Sequence, residues 1–171
     1  LPILGMGISD KSFLTQSVAK LKNLKQPYYA FLITLSSHYP YDDVKHYGNF
    51  NVGEYEGTLL GNYLKSIHYT DAQLGMFLDK LDKEGISKNS VIALYGDHYA
   101  IPKSDINELE KFVGVASMND YQWMKYQKVP MMIHFPNAKY KGVKNIASGQ
   151  MDLYPTLANM FSLPSNNLFG K

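Results

Sequence analysis

Asp97 and His98 stand side by side just after the apolar run Val91 to Tyr95, and His38 follows a second such run, Tyr28 to Leu35. A carboxylate oxygen beside an imidazole nitrogen is a mixed donor pair suited to zinc or manganese, and on a loop both side chains can turn to one ion. Two donors are too few, because a tetrahedral catalytic site takes three protein ligands and keeps a fourth position open. The missing donor must come from His38, from another loop or from outside the chain. The plainer alternative is equally concrete: Asp97 caps a backbone N–H, His98 is solvated, and His38 packs between Tyr39 and Tyr41. His46 in a polar loop and His68 on a long helical segment read as non-functional. His134, closing a third apolar run, reads as a buried and hydrogen-bonded side chain.

Composition narrows the chemistry further. All 17 basic residues among the 171 are lysines, so no guanidinium fork is available to clamp a phosphate. A formal charge of +2 is too small for a protein that must neutralise many nucleic-acid phosphates, and the 14 tyrosines are dispersed instead of forming a base-stacking platform. Without cysteine there is no disulfide scaffold, iron–sulfur cluster, thiolate zinc site or cysteine nucleophile, and the compartment stays open on that count. Serine-elbow, phosphate-loop, dinucleotide and His-Glu-x-x-His patterns are all absent from the sequence. No apolar run approaches the roughly 20 residues of a membrane span. The start, Leu1 to Gly7, has neither an initiator Met nor the basic flank of a signal peptide, so the chain is expected to be an internal piece of a longer protein.

The elements that must position these residues follow from periodicity. Ser9 is the expected N-cap of an amphipathic helix carrying Phe13, Leu14, Val18, Leu21 and Leu24. The run 28–35 is continuously apolar and β-favouring, as a strand buried on both faces would be. Residues 42–56 read as a surface loop. A long helix is predicted from Gly57 to Glu84, with Leu60, Tyr63, Leu64, Ile67, Leu74, Phe77, Leu78 and Leu81 on its buried face and Gly85 as its stop. A second buried strand spans 90–95, one or two short helices lie within 104–126, and a third strand covers 129–135. Asp152 is the expected cap of a last helix reaching Phe161, with Pro155 tolerated in its first turn. That order describes an α/β domain with a mostly parallel sheet flanked by helices, treated as a single unit over 1–171. In such sheets ligands gather at the carboxyl ends of strands, which is where His38 and the Asp97–His98 pair fall.

Four segments resemble one known family. Leu94-Tyr-Gly-Asp-His-Tyr-Ala-Ile101 is similar to the Tyr-Gly-Asp-His-Tyr-Gly-Ile motif of the lipoteichoic acid synthases, phosphoglycerol transferases of the sulfatase and alkaline-phosphatase superfamily. Ile33 to Tyr41, with Ser37, His38, Tyr39 and Pro40, resembles the family's Ser-His-Phe-Pro loop. The helix with Tyr69, Asp71, Leu74 and Gly75 resembles the one that precedes the motif strand, and Gln150, Asp152, Pro155 and Thr156 match a Gln-x-Asp-x-x-Pro-Thr signature.

The resemblance implies an alkaline-phosphatase/sulfatase-like fold, present as the C-terminal half of a catalytic domain. It also implies a divalent metal, usually Mn, and transfer of glycerol phosphate from a phosphatidylglycerol headgroup to a glycerol-phosphate polymer or glycolipid. The location implied is the extracellular face of a bacterial cell membrane. Residue by residue, Asp97 and His98 match metal ligands and His38 matches the histidine that touches the glycerol phosphate. The family's nucleophilic Thr and ligand Glu belong to an upstream half, so no catalytic nucleophile is assigned: Thr15, Thr34, Thr58, Thr70 and Thr156 all stand in other contexts. Ala100 replaces a family Gly, and Pro102 stands where the family has a Ser. A sulfatase or phosphoethanolamine transferase of the same superfamily is the competing enzyme reading. A non-catalytic domain that binds envelope glycopolymer or a partner protein is the competing reading of another class.

Overall fold

The computed structural model describes residues 2–164, 166 and 170. A short antiparallel hairpin, β1 (Ile3–Leu4) and β2 (Gly7–Ile8), runs straight into α1 (Asp10–Lys22). The helix starts where the sequence predicts, because Ser9 Oγ accepts the Ser12 N–H at 3.4 Å. Asp10 lies in its first turn and Lys20 and Lys22 in its last, so each end carries the charge that the helix dipole favours. After a long connection containing short 3-10 turns at Val44–His46 and Gly53–Tyr55 comes α2 (Leu59–Lys83). Its orphan N-terminal amides are taken up by Thr58 Oγ1, which accepts the Gly61 N–H at 3.0 Å, and by Glu108 Oε2, which accepts the Leu60 N–H at 2.8 Å. Gly85 ends the helix at φ +72°, a conformation that a β-carbon would strain.

Leu14, Val18 and Leu21 of α1 pack against Phe77 and Leu81 of α2, and Tyr28, Leu32, Leu74 and Ile86 close around them. The buried face of α2 keeps Leu60, Phe77 and Leu81 of the expected set, with Tyr63, Leu64 and Leu74 half-buried. Ser66 and Thr70 are buried while Ile67 and Leu78 are exposed. Both hydroxyls are satisfied, Ser66 on the Tyr63 carbonyl at 2.7 Å and Thr70 on Asp10 Oδ2 at 3.3 Å, which removes most of the cost of enclosing them.

The second half contributes β3 (Ile92–Tyr95), α3 (Ile106–Val113), α4 (Asp120–Lys125), β4 (Met131–His134) and α5 (Leu153–Met160). β3 and β4 pair antiparallel, Ile92 opposite His134 and Tyr95 opposite Met131. Both ladders among the described residues are therefore antiparallel, against the expectation of a mostly parallel sheet. An apolar run reports burial but carries no information about strand direction, which is set by the path of the connection. The run 28–35 is likewise not the doubly buried strand anticipated. It has no ladder partner among the described residues, and it exposes Tyr29, Phe31, Ile33 and Leu35 while Tyr28 and Leu32 face the core. Its composition suits a covered strand, but the described residues supply neither the flanking ladder nor the outer layer. His134 also departs from expectation, lying exposed on β4.

Candidate active site

The loop after 28–35 is held at its root by a buried carboxyl group. Asp10, with no exposed surface, accepts through Oδ1 the N–H groups of Leu35 at 3.0 Å and Ser36 at 3.1 Å. In return Ser36 Oγ accepts the Asp10 N–H at 2.9 Å. Leu35 then opens a tight turn whose fourth residue, His38, donates its N–H to the Leu35 carbonyl at 3.1 Å. A second turn follows, with the Tyr41 N–H donated to the His38 carbonyl at 3.3 Å. Tyr41 sits at φ +60°, a strained setting for a bulky residue, and is only 2% exposed. Its hydroxyl donates to the Ala100 carbonyl at 2.8 Å and so ties this loop to the one after β3. Burial, reinforced by the neighbouring Tyr63, Tyr47 and Tyr39, pushes the Tyr41 phenol up to about 12, which keeps it a donor across the ordinary pH range.

The second loop leaves β3 through Gly96, whose N–H donates to the Pro130 carbonyl at 3.0 Å. A β-carbon there would fall 2.7 Å from Cβ of Val129, so only glycine fits without displacement. Gln150 braces the loop from the α5 side, donating through Nε2 to the Asp97 carbonyl at 3.0 Å and reaching the Gly96 carbonyl at 3.5 Å. Asp152, expected to cap α5, stands at its N-cap position but turns Oδ2 back to the Gly149 N–H at 2.8 Å, closing the turn that carries Gln150.

These supports bring the two loops together. The rings of His38 and His98 meet edge to face with centroids 5.6 Å apart. Nδ1 of each is 2.7 Å from the carbonyl of the next residue, Tyr39 and Tyr99 respectively. A carbonyl accepts only from N–H, so we assign the proton to Nδ1 in both rings, which leaves both Nε2 lone pairs for a ligand. Asp97 Oδ1 lies 3.8 Å from His98 Nε2, too far for a hydrogen bond, so neither donor is spent on the other. The Asp97 side chain is 76% exposed and that of His98 50%, open to a solvent-borne partner. Behind His98, Tyr99 stacks edge-on against Trp123.

The structure thus places His38, Asp97 and His98 in one cluster and leaves the remaining histidines elsewhere. His46 pairs with Asp43, and His68 lies flat on Phe50. As donors, Asp97 and His98 fit a divalent ion. Among the described residues no group of three or more His, Cys, Asp or Glu side chains is arranged to hold one, and the pair supplies two of the three protein donors a tetrahedral catalytic site takes. Asp10 and Tyr41 escaped the sequence reading as supports of the site. Each acts through a hydrogen bond to backbone some 25 or more residues away, which local spacing does not encode.

Residues 2–163 match the sulfatase family model. The chain belongs to the sulfatase family. It is 35% identical over 163 residues to lipoteichoic acid synthase 1 of Bacillus subtilis, covering 95% of this chain and 25% of that protein. Over 170 residues it is 29% identical to the lipoteichoic acid synthase of Staphylococcus aureus, covering 98% and 26%. The lipoteichoic acid synthase LtaP of Listeria monocytogenes superposes with a TM-score of 0.83 at 30% identity, over 98% of this chain and 42% of that one. A protein in the alkaline phosphatase superfamily from Vibrio parahaemolyticus shares the fold with a TM-score of 0.64 at 20% identity, over 94% and 36%. The expected alkaline-phosphatase/sulfatase-like fold is therefore present, and this sulfatase-family chain spans about a quarter of the curated relatives it matches. Among the described residues no helix is long and apolar enough to cross a membrane.

Proposed function

We propose that this chain is part of a metal-dependent phosphoglycerol transferase that takes glycerol phosphate from a phosphatidylglycerol headgroup and passes it to a glycerol-phosphate polymer or glycolipid. We place its work on the extracellular face of a bacterial cell membrane. The observation that carries the reading is the meeting of His38 with His98 beside Asp97, with neither Nε2 atom in a hydrogen bond among the described residues, in a chain whose curated relatives are named as lipoteichoic acid synthases.

In this reading Asp97 and the His98 Nε2 hold a divalent ion, manganese by preference, together with ligands from outside the chain. Such an ion, when bound, supplies a Lewis acid that offsets charge building on phosphate oxygens. With Nδ1–H committed to the Tyr39 carbonyl, a neutral His38 accepts from a glycerol hydroxyl through Nε2, and its imidazolium donates through the same atom to a phosphate oxygen. The attacking threonine lies outside this chain, so the residues described bind and orient the transferred group without cleaving it.

The test uses the full-length protein. Wild type should release glycerol phosphate from a fluorescent phosphatidylglycerol analogue, with little turnover of a sulfate ester or of a phosphatidylethanolamine analogue. Preference for either of the last two would move the assignment to a sulfatase or a phosphoethanolamine transferase, and silence on all three would favour a binding module. Calorimetry with Mn²⁺ should show binding that Asp97→Ala weakens at least about tenfold, as losing a charged donor demands. Equal affinity in the two proteins removes Asp97 from the ligand set.

A further inference from the structure

Asp10 is the one carboxyl group wholly enclosed among the described buried residues, and the proposed transfer makes no use of it. Its contacts are all directed. Oδ1 takes two consecutive backbone N–H groups, Leu35 and Ser36, Oδ2 takes the Thr70 hydroxyl from α2, and its own N–H is received by Ser36 Oγ. Leu35 and Ser36 are the first two residues of the turn whose fourth is His38. One side chain therefore joins the first turn of α1, the middle of α2 and the root of the His38 loop. Enclosing a carboxylate is costly unless its oxygens are satisfied, and here three donors and the helix N-terminus satisfy it. A turn needs no such anchor to form, since its own Leu35–His38 hydrogen bond closes it. What the anchor adds is the orientation of that turn relative to the helices.

We propose that Asp10 is a positioning residue for His38, setting the turn so that the imidazole meets His98 and reaches the transferred glycerol phosphate; the functional half of this inference rests on the transferase reading above. Tyr41 holds the far side of the same loop through Ala100, so His38 is fixed from both directions and removal of Asp10 frees only the upstream one. The expected consequence is a displaced imidazole in a folded protein. A displacement near 1 Å at a reacting centre costs up to about 100-fold.

Two measurements on the full-length protein test this. The first is a double-mutant cycle on kcat/KM with the phosphatidylglycerol analogue, combining Asp10→Ala with His38→Gln. If Asp10 acts through His38, Asp10→Ala lowers kcat/KM roughly 10- to 100-fold in the wild-type background and less than about threefold once His38 is gone. Equal losses in both backgrounds assign Asp10 to general stability and overturn the proposal. Asp10→Asn, which keeps an oxygen for the Leu35 and Ser36 amides, should restore most of the rate. The second measurement needs no turnover: a ring-proton Overhauser contact between His38 and His98 in histidine-labelled protein. It should be present in wild type and Asp10→Asn and absent in Asp10→Ala. Its persistence in Asp10→Ala overturns the proposal even if the enzyme is inert toward every lipid tested. If Asp10→Ala fails to fold, Thr70→Val and Ser36→Ala, which each remove one of the four contacts, take its place in both measurements. Loss of the contact in neither variant likewise counts against the positioning role.

Discussion

Replacing Tyr41 by Phe removes one oxygen and leaves the ring, the backbone strain at φ +60° and the packing at 2% exposure in place, so it isolates the hydrogen bond to Ala100. A hydrogen bond of this kind contributes about 0.5–1.5 kcal/mol net, and an acceptor left buried without a partner raises the loss toward about 3 kcal/mol. Ala100 is half-buried, so water can reach its carbonyl in part, and a loss of about 1–2 kcal/mol is expected. Alkali adds a signature. Burial raises the Tyr41 phenol from 10.0 to about 12 in the folded protein, so the stability it contributes is fully present below pH 10 and is lost as pH rises through about 12. Tyr47 is raised to about 12 as well, by burial and by Asp43, Asp42 and Asp10, and it remains in the variant. Urea unfolding followed between pH 8 and pH 12 should therefore show wild type losing its advantage over Tyr41→Phe, while both retain the Tyr47 share of the slope. A variant within about 0.3 kcal/mol of wild type at pH 8, or one with an unchanged slope, would refute the claim that this hydroxyl ties the two loops together.

Three further outcomes follow from the same geometry. Leu14→Ala, at 2% exposure between α1 and α2, should cost about 2–5 kcal/mol in chemical unfolding, and a cost under about 1 kcal/mol would mean the helix pair is not the core. Gly96→Ala drives a β-carbon to within 2.7 Å of Val129 Cβ and should shift the Asp97 loop, costing about 1–3 kcal/mol of stability and, on the proposed metal role, lowering Mn²⁺ affinity in calorimetry; unchanged affinity would separate the strand end from the Asp97–His98 pair. The Gly5 N–H, and after it His46, lowers the Asp43 carboxyl below its usual 3.8, so the stabilisation from Asp43 is present above that value and lost as pH falls through the lowered one. Asp43→Asn should flatten that acid limb in a pH series of unfolding curves, and parallel limbs would dismiss the pairing.

How far the sequence could be read depended on the range of the interaction that decided each feature. The two long helices were legible because caps and stops act within four residues: Ser9 on Ser12, Thr58 on Gly61, Gly85 at its own φ. The Asp97–His98 pair does follow a strand, β3, whereas His38 follows a run with no ladder partner among the described residues, so the strand-end rule reached it through a strand that is not there. Strand direction was not legible, since Val91 to Tyr95 and Val129 to Phe135 are apolar whichever way they run. The apolar part of the α2 face, Leu60, Phe77 and Leu81, was legible, but its polar part was not. Ser66 and Thr70 look like solvent-facing residues until Asp10, sixty positions from Thr70, supplies the partner that makes burial of Thr70 affordable.

The same distinction bears on the cluster of His38, Asp97 and His98. Gly96 passes close to Val129, Gln150 reaches across to the Asp97 carbonyl and Tyr41, held at positive φ, grasps Ala100, so the backbone of both loops is fixed. Each constrains the backbone at the root of one of the two loops, Tyr41 from within the core and Gly96 against Val129. Strain and close approach of this kind persist only where surrounding contacts over-determine them. Here they converge on two loops whose histidines each lock Nδ1 to a carbonyl and present Nε2. A loop histidine that merely needed solvation would gain nothing from a fixed tautomer. A histidine that must offer one nitrogen in one direction depends on it, and the roles proposed above for His38 and His98 require that.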